Sequence, residues 1–277
     1  MTNLFIVCNN FSTLFSIANN EVNTLSSWIT ANKLFINYDK TNYMLFQPYK
    51  FQRKGLSSVT SLSPLAITGH VIQRVHVVKY LGIYIDENLT WLDHISYLMK
   101  KISSLTGILY RVKSYLPIDC KKQIYYALAN SSLIYCIEIY ANVNQSVLNP
   151  LIIKCNRLLR LLQSKPRRTP INELYAAFGT LPVDKLFQYY TLKLIHKCVY
   201  NSSSLPVTIA KCFVKANSIH SHGTRRSGFL YIHANSNPNS VVFYGPNMWN
   251  KLPLNFQNDP FLLSFLKACK DYLLCPP

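Results

Sequence analysis

Apolar residues change their period at Trp91, and this constrains the fold more than any other feature of the chain. Beyond it, Ile95, Leu98, Met99, Ile102, Leu105, Leu109, Val112 and Leu116 recur at helical spacing on one face, which Pro117 ends. Further helices are predicted over residues 119–139, from Asn149 as cap with Pro150 at the first helical position, over residues 182–199, and over residues 261–274 after a turn at residues 249–253. Before Trp91 the apolar runs are short. Residues 4–7 read as a strand and residues 9–12 as turn and cap. A helix follows, with Leu14, Ala18, Val22, Leu25 and Ile29 on one face and Phe15 and Trp28 beside them. Residues 34–37 and 42–46 read as strands around a polar turn at residues 38–41. Residues 71–86, β-branched and Tyr-rich with Gly82 inside, predict two strands or one bent one. The expected class is α+β: a β–α–β segment, then a mostly helical region, then a small C-terminal extension.

Three stretches lack periodicity and read as loops or linkers: residues 51–64, 201–206 and 220–239. Charge is uneven along the chain. Of a net +18, residues 1–50 hold +1, residues 51–120 +4, residues 121–200 +8 and residues 201–277 +5. Such an excess of cations points to a polyanion, nucleic acid first and an anionic membrane second, with the contact in the second half. No run approaches the roughly 18 apolar residues of a spanning helix, since Glu138 interrupts the best one. A secretory signal is not expected either, because the short apolar run at residues 4–8 has no basic flank. The eight cysteines form no C-x-x-C pair and read as scattered thiols of a reducing compartment. Localisation is therefore expected to be intracellular, cytoplasmic or nuclear.

Residue chemistry alone reaches a basic α+β protein that binds nucleic acid. Asp86-Glu87 is the only adjacent acid pair, at a strand end where successive side chains diverge, and Asp39 and Asp93 stand alone. No carboxylate set for two metals is visible. His220-x-His222 has no acid or Cys beside it and reads as a solvated loop or a phosphate contact. In the predicted helix from Asn149, Lys154, Arg157 and Arg160 span about 120° opposite much of the apolar face. Lys165, Arg167 and Arg168, set between Pro166 and Pro170, then form a stiff basic elbow. Solvated faces usually mix signs, whereas hardly any acid interleaves here.

The order of several stretches carries more. Leu25-Ser26-Ser27-Trp28, Ala31-Asn32-Lys33-Leu34, Asn37 with Lys40-Thr41, and Met44-Leu45-Phe46 come first. Lys79-Tyr80-Leu81-Gly82-Ile83 follows with Asp86, Leu89, Trp91 and His94. Arg167-Arg168-Thr169-Pro170, Thr224-Arg225, Gly245-Pro246 and Trp249-Asn250-Lys251-Leu252-Pro253 complete the series. With Thr2-Asn3-Leu4-Phe5 at the start, this order resembles the downstream part of the reverse transcriptase of jockey-like, LINE-type non-LTR retrotransposons. The resemblance implies a partial palm over residues 1–92, a helical thumb-like domain over residues 93–200 and a C-terminal extension over residues 201–277. It implies RNA, DNA or an RNA–DNA hybrid as partner.

The resemblance also implies what is missing. In that family the segment resembling residues 2–5 leaves a hairpin whose tip carries paired catalytic Asp residues, and Met1 stands where the second would be. Mg serves the intact family enzyme, and no cofactor is expected for this chain. Lys40 matches the palm lysine thought to protonate the pyrophosphate leaving group, and is otherwise a solvated turn lysine. Leu81 and Gly82 match the strand turn that supports the primer end, a place where Gly also lets a strand bend. Trp91 and His94 read as core packing and a helix-start contact. Lys154, Arg157, Arg160, Lys165, Arg167, Arg168 and Arg225 are the expected backbone contacts. The expectation is a truncated, inactive RNA-directed DNA polymerase that binds nucleic acid. The alternatives are a non-enzymatic nucleic-acid-binding protein and a transposon remnant without function.

Overall fold

Asn10 starts the first helix by accepting the Ser12 N–H at 2.9 Å, and α1 (Phe11–Ala31) then runs for 21 residues. We describe residues 3–46, 64–218, 229–232 and 240–274 in a computed structural model. The loop at residues 51–63, His220, His222, Arg225 and Cys275 lie outside these residues. The chain divides into two compact units, residues 1–93 and residues 94–277.

In the first unit the expected face of α1 is the buried one. Phe15 and Val22, with Ala18 beside them, meet Leu65, Ile67 and Ile72 in a small core. Trp28 lies off that face, exposed. The strands are short: β1 (Asn42–Tyr43), β2 (Ala66–Ile67), β3 (His70–Val71), β4 (Gln73–Arg74), β5 (Val77–Tyr80) and β6 (Ile83–Asp86). They form three two-stranded ladders: β1 with β4 in parallel, β2 with β3 and β5 with β6 antiparallel. The predicted strands at residues 4–7 and 34–37 do not form, and the 42–46 strand shrinks to β1. A strand needs a neighbour to take its backbone hydrogen bonds. Among the described residues no strand pairs with these segments, and Phe5, Val7 and Phe35 stand 79, 95 and 98% exposed.

The second unit is helical. α2 (Leu92–Val112) buries His94, Ile95, Leu98, Ile102, Leu105 and Leu109, most of the predicted stripe, but ends before Leu116. The single helix predicted over residues 119–139 is instead broken. α3 (Ile118–Ile124) widens into a π-helical segment (Tyr125–Asn130), α4 (Ser131–Ile134) follows, and Cys136 at φ 56° separates it from α5 (Ile137–Tyr140). Tertiary bonds account for the break. The Tyr126 hydroxyl donates to the carbonyls of Phe178 and Gly179 at 2.8 and 2.9 Å, and the Tyr140 hydroxyl satisfies the Leu133 carbonyl that the break frees.

α6 (Gln145–Leu162) starts earlier than predicted, at Asn144, and holds Pro150 inside it. The N–H that Pro150 lacks would have reached only the second residue of the helix, so the loss is confined to one bond near its start. α7 (Ile171–Phe178), absent from the sequence expectation, ends at Gly179 in the left-handed conformation. α8 (Val183–Tyr200), predicted to within a residue, contacts α4, α5 and α6 and the later helices α10 (Val241–Asn250) and α12 (Leu262–Leu274). Between these lie α9 (Val207–Ala210) and α11 (Leu254–Gln257). Trp249 and Asn250, expected in a turn, belong to α10. Trp249 is buried, and the Asn250 amide exchanges two 2.9 Å hydrogen bonds with the Leu230 backbone.

Candidate nucleic-acid interface

α6 presents its basic residues because its other face is fully used. Leu148, Leu151, Cys155, Leu158, Leu159 and Leu162 are buried, and the helix contains no acidic residue. The six basic positions then separate by what holds them. Lys154 is half-buried and donates from Nζ to Ser103 Oγ at 2.7 Å, which ties α6 to α2. Arg160 is half-buried and donates from Nη2 to the Thr169 carbonyl at 3.3 Å. Arg157, Lys165, Arg167 and Arg168 are exposed.

The elbow after α6 is a built turn. Ser164 takes φ 54°, and Lys165 N–H returns to the Arg160 carbonyl at 3.0 Å. Pro166 and Thr169 close on each other: the Pro166 carbonyl accepts from Thr169 N–H at 3.1 Å and from its hydroxyl at 2.9 Å. Thr169 is buried, and Gln163 Nε2 fixes the far side by donating to the Leu174 carbonyl at 2.7 Å. Arg167 and Arg168 therefore occupy the two central positions of the turn.

In the first unit, Lys40 ends a 3-10 turn (Tyr38–Lys40) whose cap, Asn37, accepts the Lys40 N–H at 3.1 Å; its side chain is exposed. Leu81 and Gly82 form the two-residue tip of the β5–β6 hairpin, at φ 45° and 89°. Both central residues of such a turn need positive φ, so Gly82 is there for its conformation, and the exposed Leu81 bears a cost of about 1–2 kcal/mol. Of the two alternatives expected over residues 71–86, two strands or one bent one, the structure has two strands turning at Leu81-Gly82. Lys40 precedes β1, which pairs with β4 ahead of that hairpin.

In the sequence Asp86 stands out as half of an acid pair and as one residue of the motif order. Its buried carboxylate accepts the backbone N–H groups of Asn88, Thr90 and Trp91 at 3.1, 2.9 and 2.8 Å. That grip holds a loop in which Leu89 and Trp91 take φ 54° and 62°, conformations a bulky residue adopts only when held there. The signal was the D-E-N-L-T order, an Asp followed by polar residues of the kind that bond back to the chain. Glu87 points elsewhere, to Arg74 at 3.0 Å and His76 at 2.9 Å. Burial pushes its carboxyl up, but those hydrogen bonds outweigh it and hold the group below its ordinary range. Both acids are thus engaged by the protein. Among the described residues no three His, Cys, Asp or Glu side chains come together, so the donor set does not fit the Mg pair of a polymerase.

His94, in the first turn of α2, is 2% exposed and packs edge-on to Tyr140 with ring centroids 4.7 Å apart. Burial pushes its imidazole down to about 4. It is a packing residue, as expected. Seven cysteines are present as free thiols among the described residues. Among those residues, too, no helix is long and apolar enough to cross a membrane.

Comparison with known proteins gives three relatives of one kind. The RNA-directed DNA polymerase from mobile element jockey of Drosophila funebris is 27% identical over 106 residues, 37% of this chain and 12% of the relative. Its Drosophila melanogaster counterpart is 26% identical over 106 residues, with the same coverage. The probable RNA-directed DNA polymerase from transposon BS of Drosophila melanogaster is 28% identical over 147 residues, 52% of this chain and 15% of the relative. The chain thus spans less than a sixth of the length of these curated relatives. No protein-family model and no solved structure matches it. The motif order read from the sequence and these relatives agree: the chain is similar to the reverse transcriptases of jockey-like non-LTR retrotransposons.

Proposed function

We propose that this chain is a thumb-bearing portion of a retrotransposon reverse transcriptase that grips the backbone of RNA, DNA or an RNA–DNA hybrid and does not itself polymerise. The observation that carries the proposal is the row of exposed Arg157, Lys165, Arg167 and Arg168 on a helix and turn without interleaved acid. A row of such cations suits phosphates, whose contacts carry no sequence information. Residues 1–92 act as the partial palm, with Lys40 as a vestigial leaving-group acid and Leu81-Gly82 as the primer-end support. Residues 93–200 act as the thumb and residues 201–277 as its extension. Catalysis is not expected because the 277 residues contain no Asp-Asp pair, and Asp86 and Glu87 are held by backbone N–H groups and by Arg74 and His76.

A primer-extension assay on the purified chain, with Mg or Mn and several templates, tests the catalytic half: no extension above the no-protein control is expected. Extension that Lys40→Ala abolishes would contradict it. Equal affinity for two hybrids of unrelated sequence is expected in the binding half, and a strong preference for one would contradict backbone contact.

A further inference from the structure

The six basic residues do not stand in equivalent settings, and the difference assigns them different work. Arg167 and Arg168 are adjacent at the centre of a turn closed at both corners by Pro166 and Thr169, and both point to solvent. Pro166 and Pro170 stiffen the flanks, because each fixes its own φ and restricts the residue before it. Arg160 is instead half-buried. Its Nη2 lies on the Thr169 carbonyl, and its Nε is buried without a hydrogen bond among the described residues. A guanidinium so placed is a poor phosphate ligand and a good strut.

We propose that the turn at residues 166–169 is a preorganised two-arginine clamp for neighbouring phosphodiesters of one nucleic-acid strand, with Arg167 and Arg168 as the contacts and Arg160 as the residue that positions them. This rests on the nucleic-acid reading above and sharpens it. The physical gain is in ordering: a turn already fixed before binding loses less conformational freedom when its side chains engage. Contact and positioning then leave different signatures. A contact releases counterions when it meets a phosphate, so its removal changes how affinity depends on salt; a strut releases none.

Anisotropy titrations of a labelled RNA–DNA hybrid at several salt concentrations separate the two. The double variant Arg167→Gln, Arg168→Gln, at exposed positions where folding is not at risk, should lower the log–log salt slope by about 1.8 in magnitude and weaken binding by roughly 50-fold at about 0.1 M salt. Arg160→Met should weaken binding by about 3- to 10-fold with an unchanged slope, as expected for an ordering cost. It should also speed amide exchange of Thr169 in the free protein, which removal of a mere phosphate contact would leave alone. Arg160→Met lowering the slope by about 0.9 with Thr169 exchange unchanged would overturn the positioning role. If the wild type binds with a steep slope and the double variant keeps it, the clamp is wrong while nucleic-acid binding stands. A wild type that does not bind removes the underlying reading itself.

Discussion

Asp86 holds the exit of the β5–β6 hairpin with three hydrogen bonds to a charged acceptor, and each is worth more than a neutral one. Asp86→Ala should therefore destabilise the first unit by about 2–4 kcal/mol, seen as a lower urea midpoint, since it strands three N–H groups and removes what holds Leu89 and Trp91 at positive φ, the strain relieved there offsetting only part of the loss. A shift below about 0.5 kcal/mol would mean that the loop holds itself. His94 gives a pH-dependent counterpart. Its pKa of about 4 when folded lies below the ordinary 6.5, so between those values the unfolded chain binds more protons and stability falls as pH falls. The loss amounts to a few kcal/mol by about pH 4, and His94→Leu should flatten that acid limb in thermal melts. An unaltered limb would place the titration elsewhere. The burial of His94 and the hairpin role of Gly82 were legible in the sequence, because period and residue type suffice for both. The separation of Arg160 and Lys154 from the exposed basic residues was not, since it depends on Thr169 and Ser103, partners 9 and 51 residues away.

At the scale of elements, α1, α2, α8 and α12 follow the hydrophobic period closely, because each buries one continuous stripe or is enclosed by neighbours. The failures have different causes. Tyr126, bonded to Phe178 and Gly179, 52 and 53 residues on, and Tyr140, bonded to Leu133 across the break, hold the 119–139 region where it opens into a π-helix and breaks, and the hydrophobic period announces neither bond. α7 could have been found, with Pro170 before it and Gly179 just past its end. The absent strands at residues 4–7 and 34–37 have sequences that suit a strand but no neighbour among the described residues to complete one. Exposed Phe5, Val7, Trp28 and Phe35 leave that region with little buried area to resist opening. Hydrogen exchange should accordingly show residues 4–46 less protected than residues 95–200. Equal protection would mean that the first unit is held by more than its small core.

At the scale of the whole molecule, the chain combines a helical unit with a small unit of one long helix and short strands, and its +18 charge is densest in sequence where the helical unit exposes the α6 face and its elbow. The motif order points to a reverse transcriptase, and the named relatives agree over part of the chain. Asp86 and Glu87, the one adjacent acid pair, are engaged in structural contacts, and the proposal turns on grip. The most direct measurement is the salt dependence of nucleic-acid affinity for the wild type and for the variant with Arg157, Arg160, Arg167 and Arg168 all changed to Ala. Four exposed cations predict a log–log slope on duplex of about −3 to −4, and loss of three of them should reduce it to about −1 for every sequence tested. A variant that keeps both the affinity and the slope of the wild type would show that the basic face of α6 and its elbow is only a solvated surface.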